Sequence, residues 1–399
     1  MSVVHLSTSL HGGAGIAAYR LHKALVKSNF NSKMIALSGP LEAEHDSSIH
    51  IVKRSHSERG ISGAVTFIQG NLIQRGSELV TPISMNVLKE FRDELRACKV
   101  LHLHNLYNLT NIEEIAASFG RDKKIVITLH DQRHLTGGCH HAGSCNQYLS
   151  EGCRSCPQVR RPFKKVIESS FVSARDAFSK ISDLSLVSPS EWLLERARKS
   201  LIARNFQHVL IRNPVDENFF AKPEIKRPLV DKKSIAFISL DLWNPYKGLD
   251  VYLDALRRIS DPSWFYDKKL LFLGRGAIRG IPKEVEYEQL LIDNSQALRD
   301  TLLDTDLVVI PSKEDNFPNV IAESLLSGCD LVTSDSGGVS ELSGTFGHQV
   351  FSSGNSESLK SILISHQFES DRRDWRATKA REFFSSERIA MAYRRVYTQ

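Results

Sequence analysis

The feature that most constrains the fold is an alternation of short β-rich runs with amphipathic helical runs, which occurs twice. VVHLS (3–7) leads into AAYRLHKALVK (17–27), where Ala17, Leu21, Ala24 and Leu25 share one helical face. SKMIALSG (32–39), KVLHLHN (99–105) and KKIVITLHD (123–131) read as further buried strands. SLVSPSEWLLERARK (185–199) reads as a strand feeding a helix capped by Ser188 or Ser190. The pattern restarts at KSIAFISLDL (233–242) and continues through KLLFLGRG (269–276), DLVVIPS (306–312) and CDLVTSDSGG (329–338). Strands alternating with helices predict α/β halves with doubly wound parallel sheets. Two such halves suit a chain of 399 residues. The join is expected within 205–228, where turn residues and prolines cluster. The expected domains are 1–208 and 209–381, followed by a helix at 382–399 that carries two tyrosines.

Composition removes several function classes. A formal net charge of +6 is mild at this length; it suits an anionic ligand or surface, and no concentrated basic-aromatic surface points to nucleic acid. No apolar run reaches the ~20 residues of a membrane-spanning helix. The opening MSVVHLSTSLHGG lacks the charged leader and long apolar stretch of a secretory signal, so a cytoplasmic location is expected. A reducing compartment favours thiols or metal ligation over disulfides.

Ligands of open parallel sheets sit beyond the carboxyl ends of strands, so the loops after strands carry the candidate chemistry. HGGAG (11–15) places Gly12, Gly13 and Gly15 where backbone N–H groups can approach an anion at a helix start; a tight strand–helix turn is the plain alternative. TLHD (128–131) ends a strand with His130 and Asp131, an imidazole able to donate to a sugar hydroxyl or leaving group. His102 and His104 of HLHN read as support. Lys247, beside Gly248 and ahead of an amphipathic helix, is placed to hold a phosphate. In PSKEDNFPNVIAE (311–323), Asp315 and Glu323 bracket a helix start expected near Pro318 or Asn319. Such a start offers N–H groups to a diphosphate while the carboxylates accept from sugar hydroxyls. DSGGVSEL (335–342) borders the same crevice.

PSKEDNFPNVIAE followed by SDSGGVSE, together with HGGAG, TLHD, RNPVDENFF and the Lys247–Gly248 loop, resembles the family 4 retaining glycosyltransferases. LHD…TGGCH…C…GC..CP is most similar to their colanic-acid and exopolysaccharide branch. The resemblance implies a GT-B fold of two facing Rossmann-like domains that close over the donor, with the last helix returning to the N-terminal domain. It also implies transfer of a sugar from a nucleotide-sugar donor, with retention and without a catalytic metal, to a saccharide or lipid-linked saccharide acceptor. The product would be a cell-surface polysaccharide, made by a protein resting peripherally on the cytoplasmic face of the inner membrane. His130 and Asp315 would then act at the donor sugar, Glu323 on the ribose, and Lys247 with the Gly12–Gly15 loop on the diphosphate. Backbone N–H groups from Phe317 through Asn319 to Val320 would assist. Two departures stand out: Asp315, preceded by Glu314, replaces the family's first glutamate, and the usual arginine before Lys247 is missing, leaving Lys247 alone or with Arg275. These departures keep a catalytically silent GT-B scaffold as the alternative, ahead of an epimerase or phosphorylase on the same fold.

Cys139, Cys145, Cys153 and Cys156 form C-x5-C-x7-C-x2-C beside His140 and His141. Structural zinc and packed thiols both fit that spacing, and a redox role fits less well. Catalytic zinc does not suit this chemistry. The following run holds Arg154, Arg160, Arg161, Lys164 and Lys165 and reads either as a solvated basic face or as a patch for anionic headgroups.

Overall fold

The computed structural model describes residues 1–73, 80–221, 232–292 and 294–399. The chain forms two compact units, Met1–Pro214 with Glu387–Gln399, and Val215–Ser386. The boundaries differ from 208/209 and 381/382 for local reasons. The strand Gln207–Leu210 still pairs in the first sheet, and the helix Arg373–Phe383 packs in the second unit, where Arg373 donates to the carbonyls of Leu303 and Ser327. The stretch 222–228 of the expected junction lies outside the described residues.

Unit 1 is built on β1 (Ser2–Ser7), β2 (Asn31–Ala36), β3 (Ile49–Ile51), β4 (Val100–Leu103), β5 (Lys124–Thr128), β6 (Asp183–Ser188) and β7 (Gln207–Leu210). Its sheet runs β3-β2-β1-β4-β5-β6-β7, and every pair is parallel. All four residues of β4 are buried because layers cover both faces of the sheet. The helix α1 (Gly12–Lys27) joins β1 to β2, and α2 (His56–Leu72) follows β3. A capping box starts α2: the Ser55 side chain accepts from the Glu58 N–H while the Glu58 carboxylate accepts from the Ser55 N–H. Among the described residues of 60–95 are the body of α2, a 3-10 turn at Leu88–Phe91 and the start of a short helix, Arg92–Ala97.

Strand alternation sorts the sheet's two faces. Val4, Leu6, Leu101, Leu103, Ile125 and Ile127 enter the large core on one side. On the other, Val3, Val100, Val126 and Val187 pack against the C-terminal helix Ser386–Thr398 through Ile389, Tyr393, Val396 and Tyr397. Two residues further along those same strands, the apolar surface gives way to His5, His102 and Thr128.

Unit 2 repeats the plan with β8 (Lys233–Asp241), β9 (Lys268–Arg275), β10 (Tyr287–Leu290), β11 (Leu307–Ile310), β12 (Asp330–Ser334) and β13 (Gln349–Phe351) in the parallel order β10-β9-β8-β11-β12-β13. Helices α3 (Leu249–Arg257) and α4 (Asn319–Leu326) follow β8 and β11. The strand order reverses between β1 and β4 in unit 1 and between β8 and β11 in unit 2. Loops leaving such strands diverge and open a crevice at the carboxyl edge.

Candidate functional site

In unit 2 the crevice is walled by the loops after β8 and β11. Lys247 ends the first loop, and its Nζ donates to Asp315 Oδ2 in the second at 2.6 Å. Backbone contacts lock the loops together: the Lys313 N–H donates to the Tyr246 carbonyl at 2.6 Å. Gly248 carries φ +74°, and a Cβ there would stand 1.9 Å from the Pro311 oxygen. Gly248→Ala is therefore expected to cost about 1–3 kcal/mol in unit 2 and to pull Lys247 off Asp315. A thermal melt together with donor titration reads both effects.

The loop after β12 braces Asp315 from behind. The Gly338 N–H donates to the Asp315 carbonyl at 3.0 Å, and at Gly337, which carries φ +58°, a Cβ would stand 2.0 Å from the same carbonyl oxygen. Helix α4 begins at Asn319 after Pro318, with no side chain capping it and no acid in its first turn, so its dipole is left for a ligand. Glu323 is buried inside α4. The Phe317 side chain belongs to the core beside Phe384, so residues 317–320 can serve a ligand through their backbone. Arg275 is exposed at the carboxyl end of β9, opposite Asp241 and next to the Lys247 loop.

In unit 1 the equivalent edge carries the glycine turn. Gly12 has φ +71°, and Gly15 approaches Ser9 so closely that a Cβ would lie 2.2 Å from its oxygen. No side chain caps α1, and its first turn is free of acids. The turn thus suits a negative group.

Next to it runs a line of imidazoles. His5 Nδ1 meets His104 Nε2 at 3.0 Å, and His104 Nδ1 meets His130 Nε2 at 3.0 Å. His102 lies alongside, bonded to Tyr397 at 2.7 Å and to Thr128 at 2.7 Å, while Thr128 also meets Tyr393 at 3.0 Å. Burial lowers His130 to about 4 although Asp131 pulls the other way, and burial drives His5, His102 and His104 well below the ordinary range. All are neutral at pH 7. The buried His5 Nε2 has no hydrogen-bond partner. An orphaned buried N–H is rarer than an orphaned acceptor, which puts the His5 proton on Nδ1. The relay then has one polarity: His5 donates to His104, His104 donates to His130, and the His130 proton stands on Nδ1. His130 is accordingly a neutral hydrogen-bond donor and not a charged acid.

Asp131 looks away from that line. Oδ2 holds His140 Nδ1 at 2.6 Å, Oδ1 accepts the Arg133 N–H at 2.8 Å, and His140 Nε2 reaches Thr81 at 2.9 Å. Burial pushes the carboxyl up, but the His140 charge and these hydrogen bonds outweigh it and hold Asp131 well below the usual range. Asp131 therefore hangs the cysteine segment on the end of β5. Cys139, Cys153 and Cys156 are buried with Tyr148, Val159 and Phe171, and Cys139 Sγ donates to the His141 carbonyl at 2.9 Å. Burial raises Cys153 to about 12 and Cys156 above its ordinary value, which keeps both protonated. Among the described residues, no three of these cysteines and their neighbouring histidines bring ligand atoms within 4.8 Å of one another. The segment as folded does not fit a tetrahedral zinc cage. The ring nitrogens of His5, His102 and His104 do converge within that distance. All but His5 Nε2 are already hydrogen-bonded within unit 1, so the cluster reads as a relay.

The structure thus gathers Lys247, Asp315, Glu323 and the α4 start in one unit, and Gly12, Gly15 and His130 in the other. His5 escaped the sequence reading, which noted Tyr393 and Tyr397 in the last helix but gave them no role. Their signal was a histidine recurring at alternate strand positions in VVHLS and HLHN, and tyrosines four apart in the last helix.

Residues 232–365 match the family model described as glycosyl transferases group 1. No curated protein sequence matches the chain. Among solved structures the chain is similar to sucrose-phosphate synthase from Thermosynechococcus elongatus, at 13% identity and TM-score 0.64, covering 100% of this chain and 98% of that one. HepE of Anabaena in complex with UDP aligns at 14% identity and TM-score 0.64, covering 100% of both chains. WaaG, a glycosyltransferase involved in lipopolysaccharide biosynthesis, aligns at 12% identity and TM-score 0.61, covering 98% of both. Two Rossmann-like, parallel-sheet halves give the chain the GT-B fold of these structures, and the match to the glycosyl transferases group 1 model lies in the second half.

Proposed function

We propose that this protein is a retaining glycosyltransferase that moves a hexose from a nucleotide-sugar donor to a saccharide or lipid-linked saccharide in cell-surface polysaccharide assembly. The observation that carries the reading is the Lys247–Asp315 pair at the strand-order reversal of unit 2, beside the uncapped start of α4 with Glu323 inside it. A diphosphate entering there takes Lys247 over from Asp315, freeing Asp315 to accept from the donor sugar's hydroxyls. Glu323 accepts from the ribose. The bond from the anomeric carbon to the diphosphate oxygen breaks as the bond to the acceptor oxygen forms on the same face, and the acceptor's proton passes to the departing phosphate. Lys247 and the helix start stabilise the charge on that phosphate, which is where electrostatic catalysis has most effect. His130, kept neutral by burial, meets the donor sugar as a polar contact and not as a charged acid. No metal takes part. A lipid-linked acceptor places the protein at the cytoplasmic membrane face.

A thermal-shift panel of nucleotide sugars, beginning with the UDP sugars, tests the reading. At a hundred times its Kd, the correct donor is expected to raise the melting point by about 5–10 °C. Glu323→Ala and Asp315→Ala are expected to erase the shift while leaving the unliganded melt near wild type. A shift that survives both substitutions, or none across the panel, overturns the assignment.

A further inference from the structure

A cavity of about 260 Å³ lies in unit 1 between the loop 82–84, the start of the helix Ile112–Phe119, the loop leaving β5 and the helix Lys164–Ser179. Hydrogen bonds from three segments hold its walls, so its shape does not wait for an occupant. The Thr81 N–H donates to the Gly138 carbonyl at 2.7 Å, Ser84 Oγ to the Thr110 carbonyl at 2.6 Å, and Ser170 Oγ to the Pro82 carbonyl at 3.2 Å. Gly138 carries φ +114°, and a Cβ there would stand 2.7 Å from the Pro82 nitrogen. Ligand pockets usually begin at about 300 Å³, so this one suits a single small ring.

Two opposite charges line the space, Arg133 and Glu113. Arg133 Nε donates to the Thr81 hydroxyl at 3.0 Å and Nη2 to the Thr81 carbonyl at 3.1 Å, which leaves Nη1 without a partner among the described residues. Glu113 stands in the first turn of its helix, where the dipole favours a carboxylate. It is near enough to favour the Arg133 charge, yet the two form no ion pair among the described residues. A withdrawn guanidinium and a carboxylate held apart are both satisfied by an occupant that accepts and donates. An anion would meet Glu113 and a cation would meet Arg133, so a neutral occupant is favoured. Ile83, Ala174 and Phe178 add apolar wall beside the charges. A ring with hydroxyl groups round its rim and C–H groups on its faces matches that mixture, and a sugar is such a ring.

His134 belongs to the same wall. Its Nε2 lies 3.0 Å from the His104 carbonyl, an oxygen that can only accept, so Nε2 holds the proton. Nδ1 is then a buried acceptor, and it has no partner. A wall short of donors favours an occupant rich in hydroxyl groups. Through His104 that wall is also bonded to His130.

We propose that this cavity seats one neutral sugar residue of the acceptor, with a hydroxyl oxygen accepting from Arg133 and a hydroxyl hydrogen donated to Glu113. The word acceptor rests on the glycosyltransferase reading above. The cavity shares no residue with the donor site, so the two fail separately.

The test is saturation-transfer NMR of the full chain, without nucleotide sugar, against the methyl glycosides of glucose, galactose, mannose and glucuronic acid. At least one neutral glycoside is expected to bind, and more tightly than the glucuronide. Glu113→Ala is expected to weaken that binding by about tenfold or more, the usual effect of losing a hydrogen bond to a charged group. Ala174→Phe, which fills the cavity from its apolar wall, should abolish it. Both variants should keep the wild-type melt and any donor-induced shift. No binding by any neutral glycoside overturns the proposal, as does binding that both substitutions leave unchanged, or tighter binding of the glucuronide. Glycoside binding lost in both variants of a chain that shows no donor shift upholds the cavity and removes only the donor assignment.

Discussion

Lys247→Ala is expected to lower kcat for sugar transfer by about two to three orders of magnitude, the usual cost of removing one donor aimed at developing charge. Its Nζ, 2.6 Å from Asp315, is the only unit 2 cation found in hydrogen-bond contact with that carboxylate among the described residues. Removing it leaves Asp315 facing the crevice with its charge unbalanced, so the diphosphate meets a carboxylate where it had met an ammonium. Donor binding should weaken as well, whereas the fold should tolerate the change because Lys247 is partly exposed. Lys247→Arg keeps the charge but changes its shape and should recover part of the rate. Steady-state kinetics of the two variants, with donor titration, separates these effects. Near-wild-type turnover by Lys247→Ala would show that the leaving group is stabilised elsewhere, with Arg275 the first residue to examine.

Unit 1 should unfold in mild acid while unit 2 survives. Burial depresses His22, His130 and His134 to about 4, and His5, His102 and His104 further still. Each is lowered from about 6.5, so below that pH the unfolded chain binds protons that the folded unit refuses. The stability these groups contribute is complete above pH 6.5 and drains away as the pH falls toward 4. Each such histidine costs the fold up to about 1.4 kcal/mol per pH unit in that window. Several acting together become comparable to the 5–15 kcal/mol typical of a whole domain as the pH falls, which puts the transition in mild acid, near about pH 5. Unit 2 has only His348, lowered to about 4, and His366 among such groups. Hydrogen exchange read peptide by peptide after brief acid exposure should show 1–214 opening first. Simultaneous opening of both units would contradict this account.

The fold was legible because each parallel strand writes itself as a short apolar run with glycine or proline at its end. The positions of the proposed unit 2 site were legible for a related reason: Lys247 and Asp315 lie just past such runs and Glu323 in the helix that follows, where ligands of open sheets bind. Contacts that depend on crossovers were hidden. His5 and His104 are 99 residues apart and become neighbours only because β1 pairs with β4. Lys247 and Asp315, 68 residues apart, meet through the β8–β11 pairing. For the cysteines, spacing advertised a metal; in the fold, Cys139, Cys153 and Cys156 lie in the large core of unit 1, and Asp131 with His140 ties their segment to β5.

The histidine layer also sets an order of assembly during synthesis. Tyr397 reaches His102 across 295 residues of chain, and residues 387–399 are part of unit 1. On the ribosome, unit 2 has all of its residues before those last ones emerge, and domains fold as units as they appear. The half of the protein that is made first is therefore the last to be completed, since Tyr393 and Tyr397 reach Thr128 and His102 only once residues 387–399 have been made.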